Sequence, residues 1–138
     1  MSTFQNIEEA RAYFSGDRFA TDNGMTLEEL DDNHAVSKMV VFDGHKNANG
    51  GVMGGAIFTL GDLAFAALAN NKHRPSVAQQ VSVNFLNAPK SGVLTATAIC
   101  KKEGRNSIVC NVDICDEDGR EIAQFIATGY KLQKQSKT

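Results

Sequence analysis

The chain has 138 residues, 42% of them apolar and 22% charged, with a formal net charge of -2. That length supports one ordinary domain, residues 1–138, and leaves too little for two. Lysine and arginine gather only near the C-terminus, so the electrostatic footprint of a nucleic-acid binder is missing, and no apolar run reaches the roughly 18 residues that span a bilayer.

The opening stretch MSTFQNIEEARAYF carries acids where a signal peptide needs a basic flank, so the cytoplasm is the expected location. Within it, Ile7, Ala10, Tyr13 and Phe14 fall at helical spacing ahead of Gly16, which predicts a short N-terminal helix packed as a flap or lid. MTLEELDDNHAVSKMVVF then places turn-forming residues, Asp31 to His34, between two segments with strand character: a hairpin.

GGAIFTLGDLAFAALANN is the one candidate for a long helix, rich in Ala and Leu, free of proline, and ending on Asn70 and Asn71, which tolerate a C-cap conformation. It is apolar nearly all round, so other structure must bury it on most sides. Gly61 inside it costs about 1 kcal/mol relative to alanine, which points to close packing against a strand or another subunit.

Four strands follow, SVAQQVSVNFLN, VLTATAICKKE, SIVCNVDICDE and EIAQFIATGYKLQ, separated by the reversals APKSG, GRN and DGR. Val93, Thr95, Thr97 and Ile99 share one parity, as do Ile108, Cys110, Val112 and Ile114, which predicts an antiparallel meander. The tail KQSKT is polar and expected to fray. The pattern is α+β, and the economical arrangement wraps the sheet around the apolar helix. Open sheet edges then predict a dimer.

Chemistry concentrates in His45 to Asp62, HKNANGGVMGGAIFTLGD, where glycines precede an apolar segment interrupted by one acid. The first N–H groups of a helix lack intrahelical partners and sit at its positive end, so Gly54 and Gly55 can present donors to a carbonyl oxygen becoming an oxyanion. One such donor is worth about 3 kcal/mol in a transition state. A partly buried carboxylate such as Asp62 suits a general base or a nucleophile, and the same residue also suits a solvated helix position.

The pattern His45-x-Asn47-x-x-Gly50-x-x-Met53-Gly54-Gly55, with Asp62 seven residues after Gly55, resembles the signature of hotdog-fold acyl-CoA thioesterases of the PaaI type. The resemblance covers most of the chain beyond the N-terminal helix. It implies a hotdog fold, with about five to six antiparallel strands around a long central helix plus an extra N-terminal helix, assembled as a homodimer and then a dimer of dimers. It also implies hydrolysis of an acyl-CoA thioester without a metal or other cofactor. Asp62 would be nucleophile or base, Asn47 would orient the carboxylate, the water or the thioester, and Gly54 and Gly55 would form the oxyanion hole. Met53 stands where that family usually carries histidine; the backbone donor does not depend on it.

By the same resemblance the turn KKEGRNS would contact the nucleotide through Lys102, Gly104, Arg105, Asn106 and Ser107, with free N–H groups around Gly104. A solvated charged hairpin reads equally well there. Phe85 would line the pantetheine channel, with core packing the commoner role for such a residue, and Gln79 and Gln80 would help place water. A hotdog dehydratase fits less well, because the acid follows Met53 by nine residues, two more than that family shows. An acyl-CoA-binding or regulatory protein without turnover is the non-enzyme alternative, with Met53 as its sign. Cys100, Cys110 and Cys115 form no C-x-x-C pair and read as strand or core residues of a reducing compartment. His34, His45 and His73 lack the spacing or nearby acids of a metal site and read as surface or turn residues, with His45 placed to shape the motif loop.

Overall fold

The computed structural model describes residues 2–90 and 92–133; the KQSKT tail, whose fraying was expected, lies outside them. The elements run α1 (Ile7–Phe14), α2 (Arg18–Asp22), β1 (Met25–Leu30), β2 (His34–Val40), α3 (Gly54–Lys72), β3 (Ser76–Phe85), β4 (Val93–Glu103), β5 (Ser107–Asp116) and β6 (Glu121–Lys131). The six strands form one antiparallel sheet in the order β1-β2-β4-β5-β6-β3, curved about α3. β3, next in sequence to the helix, pairs with the last strand and so becomes an edge.

The sheet comes unusually close to α3. A Cβ on Gly61 would lie 2.2 Å from the Phe125 ring on β6 and 3.1 Å from Ile114 on β5, so the lost helix propensity is exchanged for contact with the sheet. Phe58 stacks on Phe125 with ring centroids 5.6 Å apart, and the buried Ser37 hydroxyl on β2 donates to the Leu60 carbonyl at 2.6 Å. These contacts fix the middle of the helix in both rotation and height.

On β5 the predicted parity is the buried one: Ile108, Cys110, Val112 and Ile114 are fully enclosed. On β4 the helix instead meets Leu94, Ala96 and Ala98, while Val93, Thr95 and Thr97 are only half-buried and Ile99 is exposed on the outer face. Small side chains suit the side where the helix axis passes close, and β-branched residues are left to the other. Asn70 and Asn71 do not end the helix in a left-handed cap. Both are helical and buried, and the helix runs on to Lys72. Asn70 Oδ1 accepts from Ser76 N–H at 2.9 Å, whereas Asn71 Oδ1 accepts from Phe4 N–H at 3.2 Å, so the pair ties the N-terminal segment and the start of β3 to α3.

The N-terminal region holds two helices where one was expected. Asn6 caps α1 by accepting from Glu9 N–H at 2.9 Å, and Ala10 and Phe14 face the core. α2 follows after a reversal at Ser15–Gly16 and ends in an Asn23–Gly24 stop, with Gly24 at φ 74°. Its Asp before and Asn-Gly after are helix boundary signals, but five residues are too few for periodicity to register.

Candidate active site

Helix α3 has one stripe that its own sheet leaves partly open: Gly55, Thr59, Asp62 and Ala66, at successive turns. Asp62 is half-buried on that stripe, in a cavity of about 380 Å³ whose other wall is α2, through Asp17, Arg18, Phe19 and Ala20. Burial, and secondarily the negative charge of Asp17, push the Asp62 carboxyl above the ordinary carboxylate range. Asp17 itself is raised by partial burial, and it precedes α2 without spending its side chain on a cap. Arg18, the cation on this wall, is engaged by Asp22 at 3.1 Å. None of the α2 residues was identified from sequence.

The other predicted residues sit at the start of the helix. Asn47 lies in the loop after a 3-10 turn, Asp43–His45, and its Oδ1 accepts from Asn49 N–H at 2.9 Å and Gly51 N–H at 3.2 Å. The carbonyl oxygen is thus committed to the loop, and the amide N–H groups are the part left for a ligand. The Met53 carbonyl accepts from Ala56 and Ile57, which leaves the N–H groups of Gly54 and Gly55 outside the helical hydrogen bonding. Met53 is itself held by its backbone, donating to the His45 carbonyl at 2.8 Å, while its side chain is exposed.

Asn47, Gly54 and Phe85 line one open cavity of about 470 Å³, with Ile57, Leu86 and Pro89. Phe85 is 53% exposed, which corrects the core-packing role. Its ring lies 3.1 Å from where a Gly54 Cβ would stand, a close approach that a side chain at position 54 would push back slightly. Asn47 and Asp62 do not meet within the chain: Gly54 and Asp62 are eight residues apart on α3, about 12 Å along the axis, and open into different cavities.

Gln79 and Gln80 are exposed near the middle of the β3 edge, Gln79 at a bulge opposite the Gly129–Thr128 step. Gln80 bonds Ser82 at 3.1 Å. The turn carrying Lys102, Gly104, Arg105, Asn106 and Ser107 lies at the far end of α3, anchored by Glu103 to Lys72 at 3.6 Å and to Lys131 at 2.6 Å. The expected free N–H at Gly104 is not free; it donates to the Ser107 carbonyl at 2.8 Å. The side chains of Lys102 and Arg105 are exposed.

Two expectations for the histidines are corrected: the surface reading of His45 and the lack of acids near His34. His45 is buried; Nε2 donates to the Asn23 carbonyl at 2.8 Å and Nδ1 accepts from Phe42 N–H at 3.2 Å, so it braces the motif loop against the α2–β1 connection. His34 does have acids beside it, Glu29 at 3.1 Å and Asp31 at 2.6 Å, which raise its pKa, the Glu29 hydrogen bond most.

A family model described as "Thioesterase superfamily" matches residues 49–123. The acyl-coenzyme A thioesterase PaaI of Escherichia coli is 28% identical over 126 residues, covering 91% of this chain and 90% of that protein. The solved structure of the E. coli PaaI protein from the phenylacetic acid degradation operon superposes with a TM-score of 0.87 at 27% identity, covering 94% of each chain. A hypothetical thioesterase from Streptococcus pneumoniae, solved with coenzyme A, superposes with a TM-score of 0.81 at 28% identity, over 91% of this chain and 98% of that one.

Proposed function

This chain belongs to the thioesterase superfamily as a hotdog-fold member of the PaaI type, and from that premise we propose that it hydrolyses acyl-CoA thioesters at a site shared by two copies of itself. The carrying observation is the separation on α3: one end offers unpaired N–H groups, the middle offers a carboxylate, and about 12 Å of helix lies between them. Two copies related by a twofold axis near Phe58, their α3 helices antiparallel, would set Gly54 of each opposite the partner subunit's Asp62. The β3 edge supports that pairing. It is ten residues long, almost wholly exposed, and carries Val77 and Phe85 outward.

In that dimer the thioester carbonyl oxygen faces the Gly54 N–H, with Gly55 behind it, at the positive end of a 19-residue helix. The Asp62 carboxylate removes a proton from water as the water attacks the carbonyl carbon, the C–S bond then breaking to release acid and thiol; or the carboxylate attacks that carbon itself, expelling the thiolate and leaving a mixed anhydride that water opens to the acid and the free carboxylate. Burial, which raises Asp62, makes its carboxylate the stronger base. Asn47 presents its amide N–H groups to the reacting centre. Phe85 walls the pantetheine arm, and Gln79 and Gln80 hold water near the axis. Antiparallel helices carry the Lys102 and Arg105 turn of one subunit toward the Asn47 end of its partner, where the two cations meet the nucleotide phosphates.

Asp62→Asn tests the reading. Turnover of an acyl-CoA panel should fall by roughly three orders of magnitude with the dimer and circular dichroism unchanged. Near-normal hydrolysis by that variant would sink it.

A further inference from the structure

The three cysteines take no part in the proposed hydrolysis, and two of them face each other. Cys100 on β4 and Cys110 on β5 stand directly opposite in the antiparallel register. Both side chains lie on the face that meets α3: Cys110 is fully buried, and Cys100 continues the Leu94, Ala96, Ala98 series, partly exposed and packed against the core. Cys115, farther along β5, is on the outer face opposite Thr95.

The backbone decides how near the first two sulfurs come. The Cys100 N–H donates to the Asn33 carbonyl at 3.1 Å, away from β5, so the Cys100–Cys110 pair is of the non-hydrogen-bonded kind. Opposite residues in such a pair have Cα atoms about 4.5 Å apart, inside the range of roughly 4.4–6.8 Å that a disulfide bridges. β4 also bulges between Cys100 and Lys102, which loosens the ladder beside the pair. Burial first, and then the neighbouring Cys100, push the Cys110 thiol up to about 12, while the Lys72 ammonium at the end of α3 acts in the opposite sense.

We propose that Cys100 and Cys110 form a reversible dithiol–disulfide site whose oxidant is a small hydroperoxide. Cys100, the partly exposed thiol, loses its proton and attacks the terminal peroxide oxygen. The O–O bond breaks, leaving a sulfenic acid on Cys100 and releasing an alcohol, or water when the oxidant is hydrogen peroxide. The Cys110 sulfur then attacks Cys100 Sγ; the S–S bond forms, the S–O bond breaks, and the thiol proton leaves with the hydroxyl as water. Each sulfur has given up one electron and the peroxide has taken both. Burial keeps Cys110 protonated, so it reacts second, with the sulfenic acid beside it rather than with oxidant in solution. The bond closes the loop 101–109 and needs neither Asp62 nor Gly54, so it stands apart from the thioesterase reading.

The test treats full-length wild type, Cys115→Ser and Cys100→Ser with hydrogen peroxide, then counts thiols in denaturant and measures intact mass. In the wild type two of the three thiols should disappear and the mass should fall by about 2 Da, with dithiothreitol reversing both changes. Cys115→Ser should show the same 2 Da loss and Cys100→Ser none. A folded wild type that keeps all three thiols, or that gains oxygen without losing 2 Da, overturns the proposal. So does the same loss of mass in Cys100→Ser. If Cys100→Ser fails to fold, Cys115→Ser still decides, because Cys100 and Cys110 are then the thiols that remain.

Discussion

The Gly54 cavity and the Asp62 cavity lie on one helix yet offer opposite chemistry. At the first, the helix start presents unpaired N–H groups at its positive pole, close beneath the exposed Phe85 ring. At the second, a carboxylate sits half-buried opposite another carboxylate, with the neighbouring guanidinium occupied elsewhere. In the proposed reaction one region would stabilise developing negative charge and the other would supply a base. Thioester hydrolysis by that route needs both within a few ångströms, so the separation along α3 is the reason the proposed site takes two subunits.

Three measurements press on that contrast. The largest effect is expected from Gly54→Pro. Proline is well accommodated at the first position of a helix, and Met53 before it is already extended, at φ -65° and ψ 137°, so the substitution deletes the N–H, while its Cβ, like that of alanine, displaces the exposed Phe85 ring slightly. Loss of that donor should lower kcat by about 10²–10³-fold, with Gly54→Ala, which keeps the N–H, retaining most of the rate. Equal loss in both would mean that shape at Gly54, rather than its donor, is what matters.

Mixing comes next. Gly54→Pro and Asp62→Asn, each nearly inactive, would be refolded together. If every site takes its donor from one subunit and its carboxylate from the other, half the dimers are mixed, and each mixed dimer has one intact site of its two. Activity should then return to about a quarter of wild type. No recovery would place donor and carboxylate of a working site in the same chain.

The smallest effect concerns the carboxylate pair. Asp17 adds to the burial that raises Asp62, so Asp17→Asn should move the acid limb of kcat/KM to lower pH. The corresponding stability effect has a definite sign. A carboxyl raised in the folded state favours folding while it is protonated, below its unfolded value, and that contribution is lost as pH rises through the folded one. Asp62→Asn should therefore raise Tm at neutral pH while it abolishes turnover. A lowered Tm would mark Asp62 as a structural group.

The central helix, the hairpin and the four following strands were legible because their patterns are local: a long Ala- and Leu-rich run, turn residues, and alternation along β5. α2 was not, because five residues give no period, and its importance comes from lying over Asp62, forty-five residues beyond Asp17 in the chain. Parity on β4 was visible but its direction was not, since neither Thr95 nor Ala96 declares its face until the height of the helix above the sheet decides which side takes the alanines. His45 read as a turn histidine, and only the Asn23 carbonyl, brought in from another connection, shows that it is a buried brace.

What the sequence determined by itself was the chemistry: an apolar helix, glycines at its start and one acid two turns in, all fixed by neighbours along the chain. What the tertiary structure decided was separation and access. It put Gly54 and Asp62 into different cavities, because eight helical residues span about 12 Å whatever their side chains, and it set the N-terminal helices beside the carboxylate. Spacing along a helix is a property of the backbone. Which walls face each residue is a property of everything packed around it.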